Sequence, residues 1–278
     1  MVMKRLARAA GDAVISRATW GGSQNFLGAR WVERVVDNSP APVRERVALR
    51  FLSLSPHYFY DPDLKGEDAR NRRSRQIIAD QLIAPQLTAR MHILDYGCGP
   101  GYLAAAVAEK AARVDALDIS RGVLACARVI NSRPNISFQT PAQFQARKGP
   151  ARIDLAYSFA VVQHLRTGAL GRMLDLLASS VRPGGLLMLH FAQVEGGWRT
   201  EEQWELDTSL RGRARLRYGL NCFGRSAAEM TTMVEGRGFT DVTVCSLGGS
   251  LNSLDDDIRE QHLLTARRCD VVLLKVSV

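Results

Sequence analysis

The sequence has no uninterrupted apolar run of about 18 residues, the length that a membrane-spanning helix needs. It also lacks a CxxC pair, and its five cysteines are scattered and odd in number, which argues against a disulfide framework or a structural zinc site. The extreme N-terminus only faintly resembles a signal sequence, because Gly11 and Asp12 interrupt its apolar stretch. We therefore expect a cytoplasmic protein with no membrane span and no bound metal.

Lysine is scarce, since only five of the 37 basic residues are lysine. The formal net charge of +9 is uneven, with +6 over residues 1–91 and −2 over residues 195–278. A solvated arginine-rich surface is the simpler interpretation. The alternative is that the basic N-terminal part of the chain binds an anionic partner. At 278 residues and 46% hydrophobic composition, the chain suits one large domain with an additional segment.

Short apolar runs alternate with helical patterns from about residue 92 onward. Such alternation is typical of βαβ units and a mostly parallel sheet. The predicted strands are 92–97, 113–118, 136–140, 153–158, 186–193, 241–247 and 269–278. The fold class that follows is α/β, a doubly wound, mostly parallel seven-stranded sheet with helices on both faces.

Two helices in this half of the chain have clear boundaries. Apolar residues of segment 168–181 fall on one helical face, and Arg182-Pro183-Gly184-Gly185 is a stop signal. A second helix is predicted over 226–237. Between them, residues 195–225 show no period and are interpreted as an inserted lid after strand five.

The first 90 residues differ from the rest. Helical stretches are predicted around 26–36, 42–53 and 68–84, with no strand alternation. We interpret residues 1–90 as an N-terminal helical cap and residues 91–278 as the α/β domain.

The strongest chemical signal is the segment Asp95-Tyr96-Gly97-Cys98-Gly99-Pro100-Gly101, an apolar strand that ends in a glycine loop and restarts as a helix. Glycine lets the backbone turn tightly and approach a ligand. Asp118 ends the next strand, 21 residues after Gly97, where a carboxylate can accept both hydroxyls of a ribose. Together these features predict a nucleoside-cofactor site.

The glycine spacing separates two classes of cofactor. A dinucleotide fingerprint would have glycine at position 102, which is Tyr102 here. The G-x-G-x-G pattern after Asp95 instead resembles motif I of the class I S-adenosylmethionine-dependent methyltransferases. The resemblance extends along most of residues 92–278, through the strand Ile153–Ser158 and the turn Arg182–Leu187.

This resemblance implies a role for each matching residue. Asp95 and the Gly97 carbonyl would hold the amine of S-adenosylmethionine, and the loop from Gly99 to Gly101 would meet its carboxylate. Asp118 would hold the ribose and Ile119 would cover the adenine. The other expected cofactor contacts are Cys98, Ala142, Gln143, Ser158 and Phe159. At the adenine this chain departs from the family, because Pro141-Ala142-Gln143 stands where many relatives have Asp-Ala-Glu.

His164 is the candidate catalytic residue. It follows the fourth strand, where the sulfonium is expected, and an imidazole with a pKa near 6.5 suits general-base work. Packing or capping is the alternative role. His57 is a second candidate base, and His190, inside an apolar strand, is expected to be a buried core residue.

Several absences restrict the methyl acceptor. There is no Asn/Asp-Pro-Pro-Tyr/Phe segment after strand four, the pattern of enzymes that methylate exocyclic base amines.

Two charged segments each allow two interpretations. Asp255–Asp257 resemble the first turn of a helix, although a magnesium site of the carbohydrate type remains the alternative. The run Arg211–Arg217 would present four arginines on one face if extended, and would split between two faces if helical.

The leading interpretation is an O-methyltransferase acting on a hydroxyl of a small molecule such as a sugar or polyketide. The alternatives are an RNA methyltransferase that uses the basic cap, and a non-catalytic protein that binds S-adenosylmethionine. We expect residues 1–90 and 195–225 to form the acceptor pocket, with a homodimer interface as their alternative use. Aromatic side chains in these blocks would stack on a sugar or ring: Tyr58, Phe59, Tyr60, Trp198 and Trp204.

Overall fold

The computed structural model describes residues 27–54, 58–147, 153–210, 212–213, 216, 221–247 and 261–268. Its strands are β1 His92–Tyr96, β2 Arg113–Leu117, β3 Ile136–Gln139, β4 Ile153–Ser158, β5 Val181–Ala192, β6 Phe239–Ser246 and β7 Gln261–Arg268. They form a seven-stranded sheet with the order β3-β2-β1-β4-β5-β7-β6. The predicted α/β class with a seven-stranded sheet is confirmed.

The α-helices are α1 Leu27–Asn38, α2 Ala41–Leu52, α3 Leu64–Ile78, α4 Tyr102–Ala108, α5 Arg121–Ile130, α6 Pro141–Gln145, α7 Thr167–Ser180, α8 Glu201–Glu205 and α9 Ala227–Glu235. Helix α3 continues into a π-helical turn, Ala79–Ile83. The predicted N-terminal helices therefore exist, and the described part of residues 1–90 contains no strand.

Parallel pairing dominates the sheet. Strand β1 pairs with β4, β2 with β3, and β4 with β5, all in parallel. Strand β7 runs antiparallel to both β5 and β6. Parallel strands need crossover connections, so the helices that link β1 through β5 follow from this pairing.

Strand β5 begins earlier than predicted. It starts at Val181, directly after α7, and Val181 pairs with Ile153. The next pair is Leu155 with Leu186, so the register shifts across Arg182–Gly185. The Pro-Gly-Gly segment that predicted a turn into the strand is thus an irregular bulge within it.

The strand that completes the sheet is also displaced from its prediction. The structure assigns β7 to Gln261–Arg268, whereas the sequence favoured 269–278. Residues 269–278 lie outside the described residues, as do Asp255–Asp257.

The described residues fall into two compact units, and the first combines the predicted N-terminal cap with part of the predicted α/β domain. The first unit contains the described residues of 1–89 and 97–146. Within it, α1 and α2 pack on α5, and α3 packs on α4. A Cβ atom at Gly122 would lie 2.9 Å from the Cβ atom of Val32, so α1 approaches α5 closely at this glycine.

The second unit contains residues 90–96 and the described residues from 147 onward. Helix α7 packs on β5, and α9 packs on β6. The predicted apolar face of α7 is buried, as shown by Leu170, Met173, Leu174 and Leu177.

Among the described residues, no helix is long and apolar enough to cross a membrane.

Candidate functional site

The loop after β1 has the backbone shape that only glycine adopts readily. Gly97, Gly99 and Gly101 have φ angles of +81°, +52° and +81°. The backbone N–H groups of Gly97 and Cys98 both donate to the Leu117 carbonyl, at 2.7 and 2.9 Å. The glycine loop, residues 97–101, is therefore anchored to the end of β2 within the first unit.

Asp118 lies directly after β2 and is joined to this loop. Its Oδ2 atom accepts a hydrogen bond from the Gly99 N–H at 3.0 Å, and its Oδ1 atom accepts one from the Ser120 N–H at 2.8 Å. Burial raises the pKa of the Asp118 carboxyl, and the two N–H donors counteract part of that rise. The adjacent Ile119 side chain is exposed.

The residues expected at the adenine also have a structural role in capping a helix. Thr140 caps α6, and the Gln143 Oε1 atom accepts from the Thr140 N–H at 2.8 Å. The Gln143 N–H donates to Thr140 Oγ1 at 3.2 Å, which completes a capping box. The Thr-Pro-Ala-Gln sequence carries this signature. Because the Gln143 oxygen serves the cap, the side chain offers an adenine only its amide N–H₂ group.

The remaining cofactor candidates lie in the second unit. Asp95 is buried on β1, opposite Tyr157 of β4. Ser158 is also buried, and its hydroxyl donates to the Tyr96 carbonyl at 2.8 Å. Phe159 stacks on His190, with ring centroids 4.0 Å apart.

The backbone after β4 is strained at one position. Ala160 has a φ angle of +60°, which is unfavourable for a residue with a Cβ atom. Its N–H donates to His190 Nδ1 at 3.1 Å, so this imidazole nitrogen is unprotonated. His190 is fully buried, which confirms its prediction as a core residue. The strain lies immediately before the turn that carries His164.

His164 ends a 3₁₀ turn, Val162–His164, and is half-buried. The Cys222 sulfur lies 3.8 Å from its Nδ1 atom. Burial lowers the pKa of His164, and the Asn221 backbone carbonyl, which accepts a hydrogen bond from the imidazole, counteracts part of that shift. The imidazole is thus positioned by Asn221 and Cys222. Its lowered pKa favours the neutral form at pH 7.

The segment Asn221–Phe223 is hydrogen-bonded to the turn that contains His164. The Phe223 N–H donates to the Gln163 carbonyl at 2.6 Å, and Trp204 Nε1 donates to the Cys222 carbonyl at 2.8 Å. Trp204 is therefore a buried structural residue, and the expectation that it offers an aromatic surface to a ligand is wrong.

The same expectation fails for Phe59, which is buried in the core of the first unit, whereas Tyr60 is exposed.

Arg225 ties together three parts of the second unit, although its side chain is only 3% exposed. Its guanidinium donates to the Leu165 carbonyl at 2.9 Å and to Thr167 Oγ1 at 3.2 Å, both just after His164. It also pairs with Glu229 of α9 at 2.5 Å. Nothing in the sequence distinguished this arginine from its many surface counterparts.

Several sequence predictions fall outside the described residues. These are His57 and three arginines of the run at 211–217. The fourth, Arg213, is helical and exposed, as is usual for a solvated arginine. Within the described ranges, no cluster of three or more His, Cys, Asp or Glu side chains is arranged to hold a metal ion.

Residues 68–244 match the family model described as a methyltransferase domain. This range covers more than half of the chain, so the chain belongs to that family. It is a class I methyltransferase domain, and its cofactor is S-adenosylmethionine.

A curated relative agrees with this assignment. The probable S-adenosylmethionine-dependent methyltransferase of Mycobacterium tuberculosis is 29% identical over 196 residues, which cover 70% of this chain and 65% of the relative. The chain thus spans slightly less than two thirds of that relative's length.

The solved structures show the fold alone. A Haloferax volcanii methyltransferase, in complex with the Trm112 activator, matches with a TM-score of 0.53 at 16% identity. The match covers 74% of this chain and 93% of the Haloferax volcanii chain. Human N-acetylserotonin methyltransferase, in complex with S-adenosylmethionine, has a TM-score of 0.50 at 17% identity and covers 95% of this chain and 67% of its own.

Proposed function

We propose that the protein transfers a methyl group from S-adenosylmethionine to a hydroxyl oxygen of a small molecule such as a sugar, a polyketide or a related metabolite. The observation that carries this proposal is the environment of His164. A hydroxyl acceptor must lose its proton during methylation, and this requires a base.

His164 meets the requirements for such a base. Its lowered pKa keeps the imidazole neutral at physiological pH. Because one ring N–H is donated to the Asn221 carbonyl, the other ring nitrogen of the neutral imidazole is the one able to accept a proton. Cys222 and Asn221 hold the ring from the side of the insert, so its orientation does not depend on a ligand.

The residues around the glycine loop suit a ribose and an adenine. A carboxylate has about four lone-pair sites, and backbone N–H groups use two of those on Asp118. The remaining sites are available to ribose hydroxyls. The exposed Ile119 side chain would cover the adenine, with Ala142 and the Gln143 amide at its edge.

The other assigned roles follow the family resemblance. Asp95 and Gly97 would serve the amine of the cofactor, Cys98 and Gly101 would shape the loop around it, and Ser158 and Phe159 would border the reacting end. When bound, S-adenosylmethionine supplies an electrophilic methyl carbon with a neutral thioether as leaving group. His164 would take the proton of the acceptor hydroxyl, and the rest of the protein would position the two reactants.

We propose a small acceptor rather than a nucleic acid. Two arginines of the basic N-terminal segment pair with acids of the same segment, Arg70 with Glu67 and Arg72 with Asp68, both at 2.9 Å. Such pairing reduces the contribution of these two side chains to the field that a nucleic acid would meet. We assign residues 1–90 and 195–225 to acceptor binding and water exclusion.

An acceptor screen tests this function. Wild-type protein, His164→Gln and the control His262→Gln are incubated with labelled S-adenosylmethionine and pools of hydroxylated metabolites, amines and RNA. We expect label in a hydroxylated metabolite, a loss of about 10² or more with His164→Gln, and little change with His262→Gln. Label in RNA or only in amines, or full activity of His164→Gln, would contradict the proposal.

A further inference from the structure

The turn after α2 places an aromatic side chain against the glycine loop. The Cε1 atom of Tyr58 lies 3.3 Å from the point where a Cβ atom of residue 99 would stand, and its hydroxyl lies 3.5 Å from the same point. Gly99 is also the residue whose N–H donates to Asp118. The phenol therefore contacts the loop at the residue that connects it to the predicted ribose site.

Helix α3 fixes the backbone of Tyr58. The Tyr58 carbonyl accepts hydrogen bonds from Arg70 Nη2 at 3.2 Å and from Asn71 Nδ2 at 2.9 Å. Asn71 is buried, and its amide also donates to the Glu67 carbonyl at 2.9 Å. The ring packs against the core that α1, α2 and α5 share. Tyr58 is thus held in place before any ligand binds.

The helix that holds Tyr58 is in turn tied to the glycine loop. Arg72 donates to Asn131 Oδ1 at 3.0 Å, and Asn131 Nδ2 donates to the Pro100 carbonyl at 2.8 Å. The Tyr102 hydroxyl donates to Asp68 of α3 at 2.7 Å. These hydrogen bonds within the first unit therefore fix the position of Tyr58 relative to the glycine loop.

We propose that Tyr58 is a cofactor-binding residue supplied by the N-terminal segment, whose hydroxyl donates a hydrogen bond to the carboxylate of the amino-acid end of S-adenosylmethionine. The inference rests on the proposed function, which places the cofactor on this loop. Asp118 offers acceptors, which suit ribose hydroxyls, whereas the phenol offers a donor, which suits a carboxylate. The ring also covers this end of the cofactor and shields the contact from water.

Calorimetric titration with two ligands tests the role. The probes are S-adenosylhomocysteine and 5′-methylthioadenosine, a nucleoside thioether that lacks the amino-acid end. The variants are Tyr58→Phe, which keeps the ring and its packing, and Arg133→Ala as the control, because Arg133 is an exposed residue outside the blocks assigned to the acceptor. Thermal unfolding confirms that each variant is folded.

We expect Tyr58→Phe to bind S-adenosylhomocysteine roughly tenfold or more weakly, since a hydrogen bond to a charged group is lost. Binding of 5′-methylthioadenosine should stay within about twofold, and Arg133→Ala should match wild type with both ligands. Unchanged binding of S-adenosylhomocysteine, or equal weakening of both ligands, would overturn the role of Tyr58. Wild-type protein that binds neither ligand would instead overturn the proposed function itself, together with this inference.

Discussion

The carboxylate of Asp118 and the backbone N–H of Gly99 form a hydrogen bond of 3.0 Å. This bond closes the glycine loop onto the end of the neighbouring strand and leaves carboxylate lone pairs for a ligand. The proposed cofactor site is therefore preformed at this point, because the conformation of the glycine loop and the position of the Asp118 carboxylate are coupled by this bond.

The first prediction concerns Gly101. A Cβ atom there would meet the Phe138 ring at 2.6 Å, in a backbone with φ of +81°. Gly197 has nearly the same φ, +83°, but nothing lies within 4 Å of its Cβ position. Gly197→Ala should cost about 1 to 2 kcal/mol of unfolding free energy from backbone strain alone, and Gly101→Ala about 3 kcal/mol or more. Urea denaturation measures both.

A double variant isolates the steric part of that cost. Phe138→Leu should recover part of the stability lost in Gly101→Ala, because it removes the atoms that clash. Equal losses for the two glycine variants would show that Phe138 does not restrict the loop.

The second prediction is the pH dependence of catalysis through His164. Burial lowers the pKa of this imidazole below its usual value near 6.5. A base acts in its neutral form, so activity should persist through neutral pH and fall only on the acidic side, below the usual histidine pKa near 6.5. His164→Gln should abolish this acidic limb. An unchanged pH profile in that variant would return His164 to a packing role and direct attention to His57.

The same shift has a consequence for stability. A histidine with a depressed pKa in the folded state binds protons more readily when unfolded, so its contribution to stability is complete above about pH 6.5 and declines below it. His262 has a pKa lowered in the same direction, also by burial, and acts in the same window. His164→Gln should flatten part of the decline, as measured by denaturation at several pH values.

The third prediction concerns Arg225. Its buried guanidinium holds the backbone just after His164 through Leu165 and Thr167. Removing it leaves the Leu165 carbonyl without this donor, so Arg225→Ala should cost about 2 to 4 kcal/mol. Arg133→Ala, which loses only an exposed pair with Glu109, should cost well under about 1 kcal/mol. Equal and small losses would show that Arg225 is not a structural hub.

The fourth prediction addresses the two blocks assigned to the acceptor. Hydrogen exchange with and without S-adenosylhomocysteine should show protection at 50–75 and 195–225 as well as around 93–165. The physical reason is that segments covering a bound cofactor exchange more slowly when they close over it. Protection confined to 93–165 would show that these blocks do not respond to the cofactor.

Much of the architecture was predictable because it depends on local patterns. Strands β1 to β4 and helix α7 follow from short apolar runs and the 3.6-residue period. Strand β7 was not found, since Gln261–Arg268 has fewer apolar residues than the segment after it. Pairing with β5 and β6 defines this strand, and such pairing is not a local property of the sequence.

The candidate site likewise has residues that local sequence patterns indicate and residues that only tertiary packing brings together. The glycines and Asp118 could be proposed from the sequence, because their conformational and chemical demands restrict the residue type. The contact of Cys222 with His164 joins residues 58 positions apart, and that of Tyr58 with Gly99 also depends on tertiary packing. The strain at Ala160 was equally hidden, because alanine is not the residue that a positive φ favours.

The most direct test of the account is a calorimetric titration of S-adenosylhomocysteine into wild-type protein and Asp118→Ala, with Asp175→Ala as a surface-carboxylate control. Loss of the charge-assisted ribose contact should weaken binding by about ten- to hundredfold in Asp118→Ala. Asp175 is an exposed residue of α7, and its removal should leave the affinity unchanged. Equal affinity of Asp118→Ala and wild type, or a preference of the wild-type protein for NAD, would contradict the proposed cofactor site.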